Sequence, residues 1–213
     1  VFAQGASWGR RLSIALLLPL CACATRESTR PPPPPPTLAG AACVAALKRD
    51  RAVARPVSFG SDGECHIDTP IRVSSLGVSL SPAVTMDCGL AERLDSFIRD
   101  VVQPAAQRRF GQGVRTLTNF GVYNCRAESS GSNRVSQHGL GRAIDVSGFV
   151  LADGTRLSVE DDWDGDGAGG RFIHDVARGA CEYFSVVLTP DSNADHHNHL
   201  HLDVGPERLC GPA

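Results

Sequence analysis

Apolar and polar residues take turns near the C-terminal end, in His199-Leu200-His201-Leu202-Asp203-Val204. A strand repeats its side chains every second residue, so His199, His201 and Asp203 fall on one face and Leu200, Leu202 and Val204 on the other. Similar patterning predicts strands around Ile71 to Val78 and through "VRTLTNFGVYNCR" as far as Arg126. It also predicts "RAIDVSGFVL" and "TRLSV" as a hairpin joined through Asp153-Gly154, and "SVVLTP" as a short buried strand. Elsewhere the spacing is helical. Leu90, Leu94, Phe97, Ile98 and Val101 mark a main helix across "MDCGLAERLDSFIRDVVQPAAQRRFG", disturbed at Pro104. "GGRFIHDVARGACEYF" should turn Phe172, Val176 and Ala180 inward, and the alanine-rich "LAGAACVAALKRD" adds another helix. Elements in this order predict an α+β domain with a small, largely antiparallel sheet and flanking helices.

The chain has 213 residues, 42% of them hydrophobic, which suffices for one ordinary domain. A formal net charge of -2 gives no footing for a nucleic-acid partner, and no oligomer is implied beyond a monomer by default. The N-terminus is patterned differently. Arg10-Arg11 precede the apolar run "LSIALLLPL", too short to span a membrane as a stable helix and suited to the core of an export signal. The following "LCAC" resembles the lipobox of bacterial lipoproteins. Residues 1–22 then form a lipoprotein signal peptide, and Cys23 becomes the lipidated first residue that anchors the protein to a membrane. Ordinary cleavage near Ala24, giving a soluble periplasmic protein, is the competing expectation. Six prolines, Pro31 to Pro36, make residues 23–39 a lipidated, stiff tether whose polyproline stretch spans roughly 19 Å at about 3.1 Å per residue. The folded domain is expected over 40–213, in the bacterial cell envelope, on the periplasmic side of the outer membrane.

Beyond Cys21 and Cys23, six cysteines remain. An even number in an exported chain reads as a disulfide framework, one of about fifteen possible connectivities. The pairing expected is Cys43–Cys65, Cys88–Cys125 and Cys181–Cys210.

Four of the seven histidines crowd into "HHNHLH", His196 to His201. A solvated polar turn would account for a loose cluster, but the two-residue register of His199 and His201 arms one strand face. The loop and strand "SQHGLGRAIDVSGF" add His138 and Asp145, with Gly139 and Gly141 allowing a sharp path between them. Two imidazoles and a carboxylate from His138, Asp145 and His201 make a three-ligand set with a fourth tetrahedral position open. An open position marks catalytic zinc, and such an ion supports hydrolysis of amides or esters.

These residues carry a resemblance. SxHxxGxAxD, filled by Ser136, His138, Gly141, Ala143 and Asp145, with HxH at His199 and His201, resembles the zinc peptidases that include D-alanyl-D-alanine peptidases, penicillin-insensitive murein endopeptidases and lysostaphin-like enzymes. More closely, "VYNCR", "SQHGLGRAIDVSGF", "LTPDSNADHHNHLHLDV" and the cysteine placement, from about Cys43 to Cys210, look like the extensin-like C-terminal family of bacterial proteins. The resemblance implies a hedgehog/D,D-peptidase-like fold and one Zn²⁺ on His138, Asp145 and His201. It further implies His199 as general base, His196 as an orienting or transition-state group, and Arg126 as the partner of an oxyanion or substrate carboxylate. The implied partner is a peptidoglycan peptide, cut by a murein endopeptidase or D,D-carboxypeptidase. Two departures weaken the transfer of bond specificity: Val135 stands where related murein endopeptidases have a histidine, and no glutamate lies close before His201. The alternative is a non-catalytic, zinc-stabilised wall-binding lipoprotein, since hedgehog signalling domains carry a similar site. A further motif, "DWDGDG" from Asp162, imitates a calcium loop, but Ile173 occupies the position that needs a bidentate glutamate. An acidic turn is expected there.

Overall fold

In the computed structural model of the protein, the described residues are 1, 40–49, 51–128 and 134–211. The apolar leader, Cys21, Cys23 and Pro31 to Pro36 lie outside them. Helix α1 (Gly40–Arg49) leads into strands β1 (Val53–Pro56), β2 (Pro70–Ser75) and β3 (Ser79–Asp87). At the end of β3 the Asp87 carboxylate accepts hydrogen bonds from Gly89 N and Thr69 N, capping helix α2 (Cys88–Phe97) and tying its start to the approach to β2. A π-helical turn, Ile98–Val102, joins α2 to α3 (Gln103–Phe110). Pro104 has no N–H to continue the i→i−4 ladder, and Gln103 N instead reaches Ile98 O. The expected disturbance at Pro104 is therefore one widened turn within a continuous helical run. Gly111, in the left-handed region with φ 67°, ends it.

Strand β4 (Val114–Gly121) follows, then β5 (Ala143–Leu151), β6 (Arg156–Ser158), the single-turn α4 (Val159–Asp162) and α5 (Ala168–Ala180). The chain closes with β7 (Val186–Leu188), β8 (Leu200–Asp203) and β9 (Leu209–Cys210). Among the described residues one sheet holds nine strands in the order β1-β2-β3-β4-β5-β8-β7-β9, with β6 paired to β5. Only β3–β4 and β7–β9 run parallel, so the sheet is largely antiparallel and the domain is α+β, as the patterning predicts. The turn Asp162 to Gly167 closes through Gly165 N to Asp162 O.

The helices cover one sheet face. Phe172 of α5 lies 5.2 Å from Phe149 of β5 and 5.7 Å from Phe110 of α3, ring centre to ring centre. Phe172, Val176 and Ala180 are all fully buried, as the helical spacing predicts. On β5 and β8 the core residues are Ile144, Val146, Leu200 and Leu202. The intervening Asp145, His201 and Asp203 therefore belong to the opposite face, where the site is built.

Two elements differ from the sequence reading. Strand β4 stops at Gly121 (φ 128°) instead of running to Arg126. Beyond it the Val122 carbonyl turns to accept from His138, and Cys125 is tied to Cys65. The disulfides also differ: Cys181–Cys210 forms as expected, but Cys43–Cys65 and Cys88–Cys125 are replaced by Cys43–Cys88 and Cys65–Cys125. The reason is packing. Helix α1 sits on α2, which brings Cys43 to the first residue of α2 with both side chains fully buried and Cα atoms 6.2 Å apart. Cys65 instead lies beneath the loop that carries His138, 5.7 Å from Cys125 between Cα atoms.

Candidate metal centre

Each residue of the SxHxxGxAxD pattern has a local task. Ser136 caps a short 3-10 turn, Gln137–Leu140, its Oγ accepting from His138 N and its carbonyl from Gly139 N. Gly139 lies against the Cys65–Cys125 bridge: a Cβ there would stand 2.8 Å from Cys65 Sγ and 2.7 Å from Val135 Cγ1. Gly141 ends the turn at φ 65°, a conformation that other residues adopt only with strain. Ala143 is fully buried at the start of β5, and Asp145 follows two residues later on the polar face. The loop thus turns His138 over β5 toward Asp145.

Strand β8 delivers the second imidazole. Asp145 and His201 are directly paired in the β5–β8 ladder, as are Ala143 and Asp203. His138 Nε2 lies 3.2 Å from His201 Nδ1 and 3.2 Å from Asp145 Oδ1, and His201 Nδ1 lies 3.1 Å from the same oxygen. A tetrahedral ion with bonds of about 2.0–2.1 Å holds its donors about 3.3–3.4 Å apart, so this triangle fits zinc with little adjustment. The opposite ring nitrogens complete the fit. His138 Nδ1 donates to Val122 O at 2.6 Å, and His201 Nε2 donates to Asp203 Oδ2 at 3.3 Å, so the other nitrogen of each ring is aimed at the common point. Asp203 is itself fixed by Gly205 N, which donates to its other oxygen at 2.8 Å.

The cluster's electrostatics have the same origin. Burial favours the neutral acid at Asp145, but hydrogen bonds from His138 and His201 outweigh it and hold the carboxyl far below the usual range. Burial also disfavours charge on His201, yet the carboxylates of Asp145 and Asp203 raise its pKa to about 9. A proton therefore occupies the position that a cation would take.

Two further histidines border the triangle. His199 Nε2 stands 3.4 Å from Asp145 Oδ1, and its Nδ1 donates to Asn198 Oδ1 at 2.9 Å. Its pKa is lowered, chiefly by burial, so its Nε2 is a neutral acceptor. The ring of His196 lies 5.1 Å from that of His199 and 5.7 Å from that of His201. Burial and those neighbours lower its pKa to about 4, and its Nδ1 donates to Asn193 Oδ1 at 2.7 Å. His196 accordingly presents an acceptor, which suits orienting a donor better than stabilising an oxyanion. Arg126 is exposed on the segment after Val122, where its carbonyl accepts from Ser136 N at 3.0 Å and anchors the loop that carries His138.

Two contributors went unassigned in the sequence. Asp203 shares the face of His201 by strand period alone, so its supporting position was visible without a role. Phe120 was not visible: Thr118 pairs with Gly148, Asn119 with Val146 and Gly121 with Asp145, leaving Ser147 and Phe120 as extra, bulged residues. The bulge turns Phe120 out, 60% exposed, with its ring edge-on to His199 at 5.9 Å.

A family model described as the extensin-like protein C-terminus matches residues 41–211. No curated protein and no solved structure matches the chain.

Proposed function

For a chain that belongs to the family of the extensin-like protein C-terminus, we propose the function of an exported zinc-dependent peptidase hydrolysing peptide bonds of peptidoglycan, as a murein endopeptidase or a D,D-carboxypeptidase. The observation that carries this reading is the convergence of His138 Nε2, Asp145 Oδ1 and His201 Nδ1 within 3.2 Å of one another, beside a neutral His199. The resemblance of SxHxxGxAxD and HxH to motifs of the D-alanyl-D-alanine peptidases, murein endopeptidases and lysostaphin-like enzymes supports the same reading.

His138, Asp145 and His201 would hold the ion, which when bound supplies a Lewis acid for the carbonyl and acidifies water. The remaining work falls to the chain. Val122 O and Asp203 each hold a proton on the far ring nitrogen, so that when the proton shared with Asp145 leaves, the nitrogens facing the ion are the ones without a proton. His199 Nε2, neutral and at the rim of the triangle, takes the proton of the attacking water and returns it to the leaving amine. His196 positions a donor of the substrate beside it. Arg126 is the candidate to neutralise a developing oxyanion or a substrate carboxylate. Cys23 and the proline run would keep the domain at the membrane, within reach of the wall.

The test is digestion of purified murein by the zinc-loaded protein, with separation of the products. New peptide ends and a loss of cross-linked or full-length stems are expected from the wild type, and His199→Ala should keep zinc and fold while losing turnover. An unchanged muropeptide profile together with cleavage of another peptide rejects the wall assignment. Zinc retained with no peptide cut leaves the binding-module alternative.

A further inference from the structure

We propose that the groove beside the metal centre seats a zwitterionic part of the peptide substrate, with Arg156 taking a carboxylate and Glu160 an ammonium group; this rests on the reading that the metal face meets wall peptides. The groove encloses about 270 Å³ and is lined by Thr118, Phe120, Ser147, Arg156, Glu160 and Asn198, among others. It adjoins the metal centre directly. Asn198 Oδ1 accepts from His199 Nδ1 at 2.9 Å, Phe120 meets the His199 ring edge-on, and Ser147 lies two residues beyond Asp145 on β5.

The sheet is built to leave this space. Strand β8 pairs with β5 only as far as Val146, and β6 begins pairing at Gly148, so Ser147 lies between the two partners. The paired bulges at Ser147 and Phe120 bend the same region and turn the Phe120 ring into one wall. Ser147 Oγ and Thr118 Oγ1, 3.1 Å apart, give the floor hydroxyl groups that can meet a peptide backbone.

Charge decides what the groove accepts. Arg156, paired with Val150 across the β5–β6 ladder, and Glu160, at the start of α4, bring opposite charges to one space. Both are exposed, and among the described residues neither forms an ion pair, so both charges are available to a ligand. An anion alone would meet Glu160 and a cation alone would meet Arg156; a group carrying both satisfies the pair. From Asp145 to Val150 the strand runs about 16 Å at roughly 3.3 Å per residue, so the charged group sits about five extended residues from the bond to be cut.

Equilibrium binding of soluble muropeptides tests this, measured on the zinc-loaded protein with turnover blocked by His199→Ala. Three preparations serve as probes: native, with carboxylates converted to amides, and with amines acetylated. Amidation and acetylation should each weaken binding roughly tenfold. Arg156→Gln should abolish the response to amidation alone, and Glu160→Gln the response to acetylation alone. If the wild type cuts murein but both variants discriminate among the probes as the parent does, the groove assignment fails and the peptidase reading stands. If the charge dependence appears and the wild type cuts no bond, the groove stands and the peptidase reading fails. Absence of binding by all three preparations overturns the groove assignment.

Discussion

Asp145 on β5 and His201 on β8 face one another in an antiparallel ladder, and their side chains meet at 3.1 Å. The meeting of these two donors is thus written into strand register: a slip of one residue would send one of the two to the helix-covered face. Val204 N, bonded to Arg142 O at 3.0 Å, and the Ala143–Asp203 pair hold that register at its end.

Asp203 should matter to the metal without touching it. Asp203→Ala removes the acceptor that keeps the proton on His201 Nε2, and zinc affinity should fall about 10- to 100-fold. Competition with a chromophoric chelator measures this. An affinity equal to that of the wild type would show that the His201 tautomer is fixed by other means.

The metal-free protein should depend on pH in a defined direction. His201, raised to about 9 in the fold from about 6.5 in the unfolded chain, contributes stability that is fully present below 6.5 and lost as pH rises through 9. Asp145, depressed in the fold, contributes above about 4 and its contribution is lost as pH falls further. Urea midpoints of chelator-treated protein should therefore fall between pH 6.5 and 9.5, whereas the zinc-loaded protein, in which the ion replaces the proton, should change less. Parallel losses in both forms would contradict the cluster as the cause.

The bridge between Cys65 and Cys125 underlies the loop that carries His138, and Cys43–Cys88 does not. Replacing either pair by alanine should cost about 2–4 kcal/mol of stability, given loops closed over 60 and 45 residues. Only loss of Cys65–Cys125, against which Gly139 packs, should also weaken zinc binding. Thermal unfolding and zinc titration of the two double variants separate these effects; equal zinc affinity in both would remove the loop from the account.

The anchor is tested apart from the fold. Cells expressing the chain with radiolabelled palmitate should yield a labelled, membrane-associated protein, and Cys23→Ala should yield an unlabelled one. Label retained by the variant would place lipidation elsewhere.

Much of this site was legible in the sequence because it is local or periodic. The loop from Ser136 to Asp145 carries its cap, its left-handed glycine and two of the three proposed ligands within ten residues, and the alternation of β8 places His201 and Asp203 together. Long-range packing was not legible. Cys43 pairs with Cys88 because α1 lies on α2, and nothing in the spacing of the cysteines reports that contact. Phe120 escaped for a related reason: a bulge breaks the two-residue period, so the side chain that flanks His199 is lost to pattern reading.

The metal content of the purified protein, measured by elemental analysis beside His138→Ala and His201→Ala, tests the central claim most directly. About one zinc per wild-type chain and little in either variant, with all three proteins folded, is the predicted result. A wild type that takes up no zinc when supplied with it, or variants that bind as much as the wild type, would contradict the assignment of His138, Asp145 and His201 as a metal centre.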